Sequence, residues 1–199
     1  MEVIHYTDFK SPYAYLAKAE IYRLEDTYGI PFAWRHLTLK IDTYLDAVEV
    51  RTAHNWRKVK YAYMDARRLA NRQGLTLYGP QKIFESRPAG IGMTYAMEQG
   101  LLRPYADHVF DRFFRRDIET GDPAVIEDAL KRIGADTAGF QAWHDGPGGE
   151  RHDRERAEAE ENGVFGVPSI VVDGELFWGG DRLWMVEEKL RQATGRTAS

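Results

Sequence analysis

The sequence predicts an α/β fold in which a long helical segment separates two parts of one sheet. Short β-branched runs are concentrated near the two ends of the chain, and helical periodicity dominates the residues between them. The 199 residues are 43% hydrophobic and 13% aromatic, which is enough apolar material for a full core. The predicted organisation is therefore two sheet-forming parts, residues 1–41 and 163–199, around an inserted helical domain at 42–162.

The first part of the chain predicts a β-α-β unit. Val3–Asp8 has the short, partly β-branched pattern of a buried strand. Ser11 before Pro12 indicates a helix start, because a hydroxyl caps the first turn and a missing N–H costs nothing there. An apolar stripe then runs to the terminating Gly29. Pro31–Leu37 follows as a second strand, and a right-handed crossover would make the two strands parallel.

Helical patterns fill the middle of the chain. Clusters of glycine and proline separate them, and residues 145–149, Asp-Gly-Pro-Gly-Gly, form one such predicted loop. The predicted helices are Arg57–Arg72, Ile91–Glu98, Tyr105–Arg115, Ala124–Ile133 and Gly149–Glu161.

The last part of the chain predicts a β-β-α unit. Ser169–Asp173 and Glu175–Trp178 have strand patterns and meet at Asp173-Gly174, a strong hairpin signal. A final helix is predicted at about Asp181–Ala193, with an apolar stripe on one face.

Composition excludes several classes of function. There is no cysteine, so disulfides, thiolate zinc sites and cysteine nucleophiles are excluded. The net charge of −4 disfavours a nucleic-acid partner. No secretory signal or stretch of membrane-spanning length is present, so a cytoplasmic protein without a membrane partner is expected. His144 and His152 lack metal-ligand spacing, and we expect them on the surface.

Ser11 is the first candidate functional residue. A group at the start of a helix after a buried strand meets unpaired N–H donors and the positive end of the helix dipole. An anion beside Ser11 is therefore favoured, and a thiolate there would have a lowered pKa. The alternative is that Ser11 is only a helix cap, which is the commoner role of such a serine.

Two further motifs lie near the predicted hairpin. A cis bond at Val167-Pro168 would turn the Val167 backbone outward to pair with an extended peptide, whereas a trans proline would simply begin a strand. Gly180 and Asp181 stand at another helix start, where N–H groups bind a carboxylate and the aspartate accepts from an ammonium group. The alternative role for Asp181 is an N-cap.

Together these motifs resemble the DsbA-like thioredoxin-fold family, and in particular its cysteine-free branch of 2-hydroxychromene-2-carboxylate isomerases and kappa-class glutathione transferases. The β-α-β, β-β-α order is that of the thioredoxin fold. The matching segments are residues 8–13, Asp-Phe-Lys-Ser-Pro-Tyr, then Phe165–Pro168 and Phe177–Leu183. Ser11 and Ala14 stand at the two cysteine positions of the redox branch.

The resemblance implies glutathione as the cofactor. Ser11 would hold its sulfur as a thiolate, with Pro12 and Tyr13 shaping the helix start. Val167, before a cis Pro168, would pair with the cysteinyl backbone of glutathione. Gly180 and Asp181 would take its γ-glutamyl end. Asn55 and Lys58 are the nearest candidates for the Asn and Lys that the family's helical domain contributes.

We therefore expect a glutathione-dependent isomerase, in which the thiolate adds reversibly to an aromatic-derived small-molecule substrate. Two alternatives remain open: a kappa-like glutathione transferase, and a redox-inactive DsbA-like protein that binds peptides. The family also suggests a homodimer.

Overall fold

A mixed sheet with the strand order β2-β1-β3-β4 lies at the centre of the computed structural model, which describes residues 1–40 and 47–196. β1 pairs in parallel with β2 and antiparallel with β3, and β3 pairs antiparallel with β4. The predicted parallel pair and hairpin are confirmed, and the two ends of the chain build one sheet. The strands are β1 (Val3–Thr7), β2 (Ala33–His36), β3 (Ser169–Val172) and β4 (Glu175–Trp178).

Helices account for most of the remaining described residues. Of the described helices, none is long and apolar enough to cross a membrane. Short 3₁₀ turns lie at Val48–Val50 and Gly180–Arg182. The α-helices are α1 (Pro12–Tyr28), α2 (Ala53–Arg72), α3 (Arg87–Glu98), α4 (Leu102–Arg115), α5 (Pro123–Arg132), α6 (Phe140–Asp145), α7 (Pro147–Glu161) and α8 (Leu183–Thr194).

The ends of α1 follow the sequence signals. The Ser11 hydroxyl accepts a hydrogen bond from the Ala14 N–H at 3.2 Å, so it caps the first turn. Gly29 ends the helix with φ +67°, a left-handed conformation that favours glycine. In the hairpin, Asp173 and Gly174 both have positive φ, as a tight turn between β3 and β4 requires.

The sheet and the inserted helices share one apolar core. α1 and α8 pack together, while α3 and α7 pack against β2. Phe9, the second residue after β1, lies 4.8 Å from the Phe110 ring of α4 between centroids, and Tyr15 of α1 stacks on Phe114. The loop that carries Ser11 is therefore fixed from both sides.

The middle helices depart from the predicted boundaries. α2 begins at Ala53 and α3 at Arg87, each four residues before the predicted start. The predicted loop at residues 145–149 is wrong in its second half, because Pro147 begins α7 and the next two glycines are helical. A methyl group on Gly148 would lie 2.1 Å from Trp143 Nε1, so close helix packing explains that glycine. α6 was not predicted, and the predicted boundary at residues 41 and 42 lies outside the described residues.

Candidate active site

Ser11 and Val167 meet because β1 and β3 are antiparallel neighbours. Tyr6 pairs with Ser169, so the loop after β1 lies beside the residues that precede β3. The Ser11 hydroxyl lies 3.4 Å from the Val167 carbonyl oxygen, to which it can donate while it caps α1. The Val167–Pro168 peptide bond is cis. The sheet register thus joins two of the motifs that the sequence singled out.

This serine opens onto a cleft of about 1100 Å³ between the sheet and the inserted helices. Its wall combines apolar and aromatic groups with more cationic than acidic side chains. Its lining includes Lys10, Ser11, Pro12, Tyr13, Thr38, Lys40, Arg51, Trp56, Lys60, Tyr63, Phe84, Arg87, Phe113, His152, Asp153 and Arg156. Such a wall suits an aromatic molecule that carries negative charge.

Buried Asp8 organises the loop beneath Ser11. Its carboxylate accepts from the Lys10 N–H at 3.0 Å and from the Leu39 N–H at 2.8 Å. Lys10 Nζ lies 3.7 Å from the same carboxylate and donates to the Leu39 carbonyl. Burial alone would raise the pKa of Asp8, but His36, Lys10 and the backbone donor outweigh it and hold that pKa well below its usual range. Asp8 is therefore a charged anchor between the ends of β1 and β2.

Tyr13 links the start of α1 to the inserted helices. Its hydroxyl donates to the Asp65 carboxylate at 3.0 Å and lies 3.4 Å from the Ala62 carbonyl oxygen of α2. Burial, together with Asp65, raises the pKa of Tyr13 to about 12. Tyr13 is thus a neutral wall residue that positions α2 over the cleft.

Gly180 and Asp181 lie near α1 but do not line the cleft. A methyl group on Gly180 would lie 3.4 Å from Cβ of Ala17, so this turn packs on the second turn of α1. The exposed Asp181 carboxylate accepts from Arg182 at 2.6 Å. The described geometry therefore places these two residues on the sheet side of Ser11, away from the inserted helices.

Asn55 and Lys58 lie in the first turns of α2. Lys58 is exposed, and neither residue is among the described residues that line the cleft. The face of α2 that does line it carries Trp56, Lys60 and Tyr63. Sequence analysis missed this face, although its spacing of three and four residues is the helical signal that could have identified it.

His152 corrects one sequence prediction. It is only 1% exposed, not a surface residue, and it packs 5.6 Å from the His36 ring between centroids. The Thr38 hydroxyl lies between the two imidazoles, 3.1 Å from His152 Nε2 and 3.4 Å from His36 Nδ1. Burial, and then the neighbouring His36, lower the pKa of His152 to about 4, so His152 is neutral at pH 7. Within the described ranges, no group of histidine and carboxylate side chains could hold a metal ion.

Comparison with known proteins agrees with this architecture. The model of the DSBA-like thioredoxin domain matches residues 2–191, which is nearly the whole chain. The chain belongs to the DsbA-like thioredoxin family. The predicted thioredoxin-like fold is thereby confirmed, and in this DsbA-like protein the inserted helices are the elements that close the cleft over Ser11.

Curated relatives of this DsbA-like protein are named 2-hydroxychromene-2-carboxylate isomerase. The protein from Pseudomonas putida is 28% identical over 192 residues, covering 96% of this chain and 94% of the relative. The protein from Sphingobium xenophagum is 26% identical over 195 residues, covering 93% and 95% of the two chains.

Solved structures show the same fold. A 2-hydroxychromene-2-carboxylate isomerase superposes with a TM-score of 0.77 at 27% identity, covering 100% of both chains. A probable DsbA oxidoreductase from Streptomyces coelicolor superposes with a TM-score of 0.75 at 18% identity, covering 100% of this chain and 92% of that one. The DsbA-like fold is thus shared with proteins named for redox chemistry, for which this cysteine-free chain has no thiol of its own.

Proposed function

We propose that this protein is a glutathione-dependent isomerase of the 2-hydroxychromene-2-carboxylate isomerase type. The observation that carries the proposal is the Ser11 hydroxyl, held at the N-terminus of α1 and 3.4 Å from the Val167 carbonyl, on the wall of a large cleft. The name shared by the curated relatives supports the reaction type. The rest of the site indicates how each reactant would bind.

Glutathione would lie along the sheet side of Ser11. The Val167 backbone pairs with its cysteinyl group, and Gly180 with Asp181 receives the γ-glutamyl end. Its sulfur then lies at the N-terminus of α1, where the helix dipole stabilises an anion. The Ser11 hydroxyl bond to Val167 is long, so the hydroxyl can turn and donate to a thiolate instead.

The second substrate would lie between Ser11 and the inserted helices. Tyr63, Phe84 and Phe113 offer aromatic surface, and Lys10, Lys60 and Arg156 are among the cationic groups of the wall. This combination suits an aromatic-derived acid. The thiolate adds to an unsaturated carbon, the adduct rotates about the resulting single bond, and expulsion of the thiolate regenerates glutathione.

Calorimetric titration with reduced glutathione tests the proposal directly. We expect binding by the wild-type protein, weaker binding by Ser11→Ala, and weaker binding of S-methylglutathione, which cannot form a thiolate. Absence of binding at millimolar glutathione would reject the proposal and leave a peptide-binding protein as the better account.

Product analysis separates isomerisation from transfer. With an unsaturated aromatic acid as substrate, recovery of all glutathione in free form supports the isomerase. Accumulation of a stable thioether would instead identify a kappa-like glutathione transferase.

A further inference from the structure

A buried chain of polar side chains runs from beneath Ser11 to the cleft wall. It consists of Asp8, His36, Thr38, His152 and Asp153, in that order, and is called the Asp8–Asp153 chain below. Successive groups are separated by 3.4 Å, 3.4 Å, 3.1 Å and 3.5 Å. Asp8, His36 and His152 are at most 1% exposed, and His152 also contributes to the cleft wall together with Thr38 and Asp153. Residues at the ends of β1 and β2 and on α7 thus form one polar path.

The Asp8–Asp153 chain has one fewer donor hydrogen than it has contacts between successive side chains. With both carboxylates ionised and both imidazoles neutral, two imidazole N–H groups and one hydroxyl supply three hydrogens for four contacts. Whichever tautomers are assigned, one contact lacks a hydrogen. His36 Nε2, which faces Asp8, is a buried nitrogen without a hydrogen bond among the residues that the structure describes. One added proton would complete the chain.

Charged and polar groups flank the His36 ring and the outer end of the Asp8–Asp153 chain. The Asp8 carboxylate faces the ring on one side, with Lys10 Nζ beyond it, and the Thr38 hydroxyl lies on the other. At the outer end His152 faces Asp153 and the Arg87 guanidinium, which pairs with Asp153 at 3.0 Å. Burial disfavours a charge on His152, and so do its neighbours His36 and Arg87. A proton that enters at the cleft would therefore move inward through Thr38.

We infer that the Asp8–Asp153 chain takes up one proton from the cleft and returns it during the reaction, with the Thr38 hydroxyl as the exchanging group. This inference rests on the proposed function. When glutathione ionises, its S–H proton passes to the Asp8–Asp153 chain and the sulfur becomes a thiolate. The thiolate forms a C–S bond with the substrate, and the π electrons move to the substrate's carbonyl oxygen. The Asp8–Asp153 chain then protonates that oxygen. Reversal breaks the C–S bond and restores the thiol, so no proton or electron is gained or lost overall.

Proton release on glutathione binding tests this inference. Calorimetry in two buffers of different ionisation enthalpy counts the released protons, and ultraviolet absorbance measures the thiolate. In the wild-type protein we expect thiolate formation with little proton release. In Thr38→Val the chain is cut, so release should rise towards one proton for each thiolate formed. Thr94→Val is the control for loss of a threonine hydroxyl, because Thr94 is buried and donates to the Ile91 carbonyl away from the cleft.

His152→Gln is a second variant that keeps the test decisive if Thr38→Val folds poorly. Because His152 holds the Thr38 hydroxyl at 3.1 Å, we expect this variant to release protons like Thr38→Val, and to lower kcat about a hundredfold with little change in KM. A purely structural role for His152 would not alter the proton count. Equal proton release in wild type, Thr38→Val and His152→Gln, with normal thiolate formation, would overturn the inference that the Asp8–Asp153 chain takes up the proton. The proposed function would remain intact.

Nuclear magnetic resonance of the free protein separates the two proposals further. The ring signals of His36 and His152 should respond together to the uptake of one proton, and Asp153→Asn should uncouple them. Two independent titrations would overturn the inference that the Asp8–Asp153 chain takes up one proton as a unit, even if glutathione binds. Coupled titration in a protein that fails to bind glutathione would overturn the proposed function, and with it the transfer of protons to a bound substrate.

Discussion

The Ser11 hydroxyl lies 3.4 Å from the carbonyl oxygen of Val167, a residue 156 positions later in the chain. The Ser11 hydroxyl oxygen also accepts a hydrogen bond from the Ala14 N–H and so caps α1. One side chain therefore joins the first helix of the fold to the loop before β3. Loss of the hydroxyl should affect both stability and the proposed chemistry, and the two effects can be measured separately.

Ser11→Ala should destabilise the protein by about 1 kcal/mol, because an N-cap is lost. The same variant should lose most of its turnover, since no hydroxyl would stabilise the thiolate. Denaturant unfolding and steady-state kinetics give the two quantities. Asp122→Ala is the matched control, because it removes the side-chain cap of α5, which accepts from Ala124 N–H at 2.9 Å. A similar loss of turnover in Asp122→Ala would show that the Ser11 effect reflects stability alone.

Gly90→Ala should destabilise the fold through His36. A methyl group on Gly90 would lie 2.4 Å from His36 Nδ1, and the ring cannot retreat because it stacks on Phe9 and packs against His152. Overpacking of this kind costs about 1–3 kcal/mol, against the gain in helix propensity that alanine brings. Denaturant unfolding measures the balance.

A double-mutant cycle locates the cause of that cost. His36→Ala makes room for the methyl group, so Gly90→Ala should be tolerated better in that background than in the wild-type protein. A Gly90→Ala variant more stable than the wild type would show that the His36 ring moves freely.

The main helices and strands, and the part of the site around Ser11 and Val167, were predictable because their sequence signals are local. A serine before a proline after a strand indicates a cap, and Asp173-Gly174 indicates a tight turn, without reference to any distant residue. The structure confirms both the cap and the turn. The pairing of Ser11 with Val167 then follows from the order of the strands.

The burial and pairing of the polar residues His36, His152 and Asp153 were not predictable in the same way. α7 is rich in charged residues, and only its packing against β2 decides that His152 is buried while its neighbour Asp153 is exposed. The space for His36 likewise depends on a glycine in another helix. Such long-range contacts leave no periodic signal in the sequence.

Tyr13→Phe should weaken the contact between α1 and α2. The lost hydroxyl donates to Asp65 at 3.0 Å, and a hydrogen bond to a charged partly buried group contributes about 1–3 kcal/mol. In the wild-type protein the phenol should ionise only near pH 12, and Asp65→Asn should lower that pKa towards the ordinary value of 10. Spectrophotometric titration measures both proteins, with the exposed Tyr61 replaced by Phe to simplify the signal. An unchanged pKa in Asp65→Asn would contradict the contact.

His5 should make the protein less stable in mild acid. It is buried edge-on against Trp34, and burial lowers its pKa from 6.5 to about 3. Below about pH 6.5 the unfolded chain therefore binds a proton that the folded chain does not, so this contribution to stability is complete above that pH and is lost as the pH falls. His152 acts in the same direction down to about pH 4. The stabilising contribution of Asp8 is complete above its unfolded pKa of 3.8 and is lost only as the pH falls below that value.

His5→Phe isolates this effect, since phenylalanine keeps the aromatic contact with Trp34 and cannot bind a proton. From pH 7 to pH 4 the free energy of unfolding should fall by about 3 kcal/mol less in this variant than in the wild type, at about 1.4 kcal/mol for each unit of pH below the unfolded pKa. Urea unfolding at several pH values measures the slope. His54→Phe is the control, because His54 is exposed and its replacement should leave the slope unchanged. A wild-type slope in His5→Phe would mean that the folded protein already protonates His5 in this range.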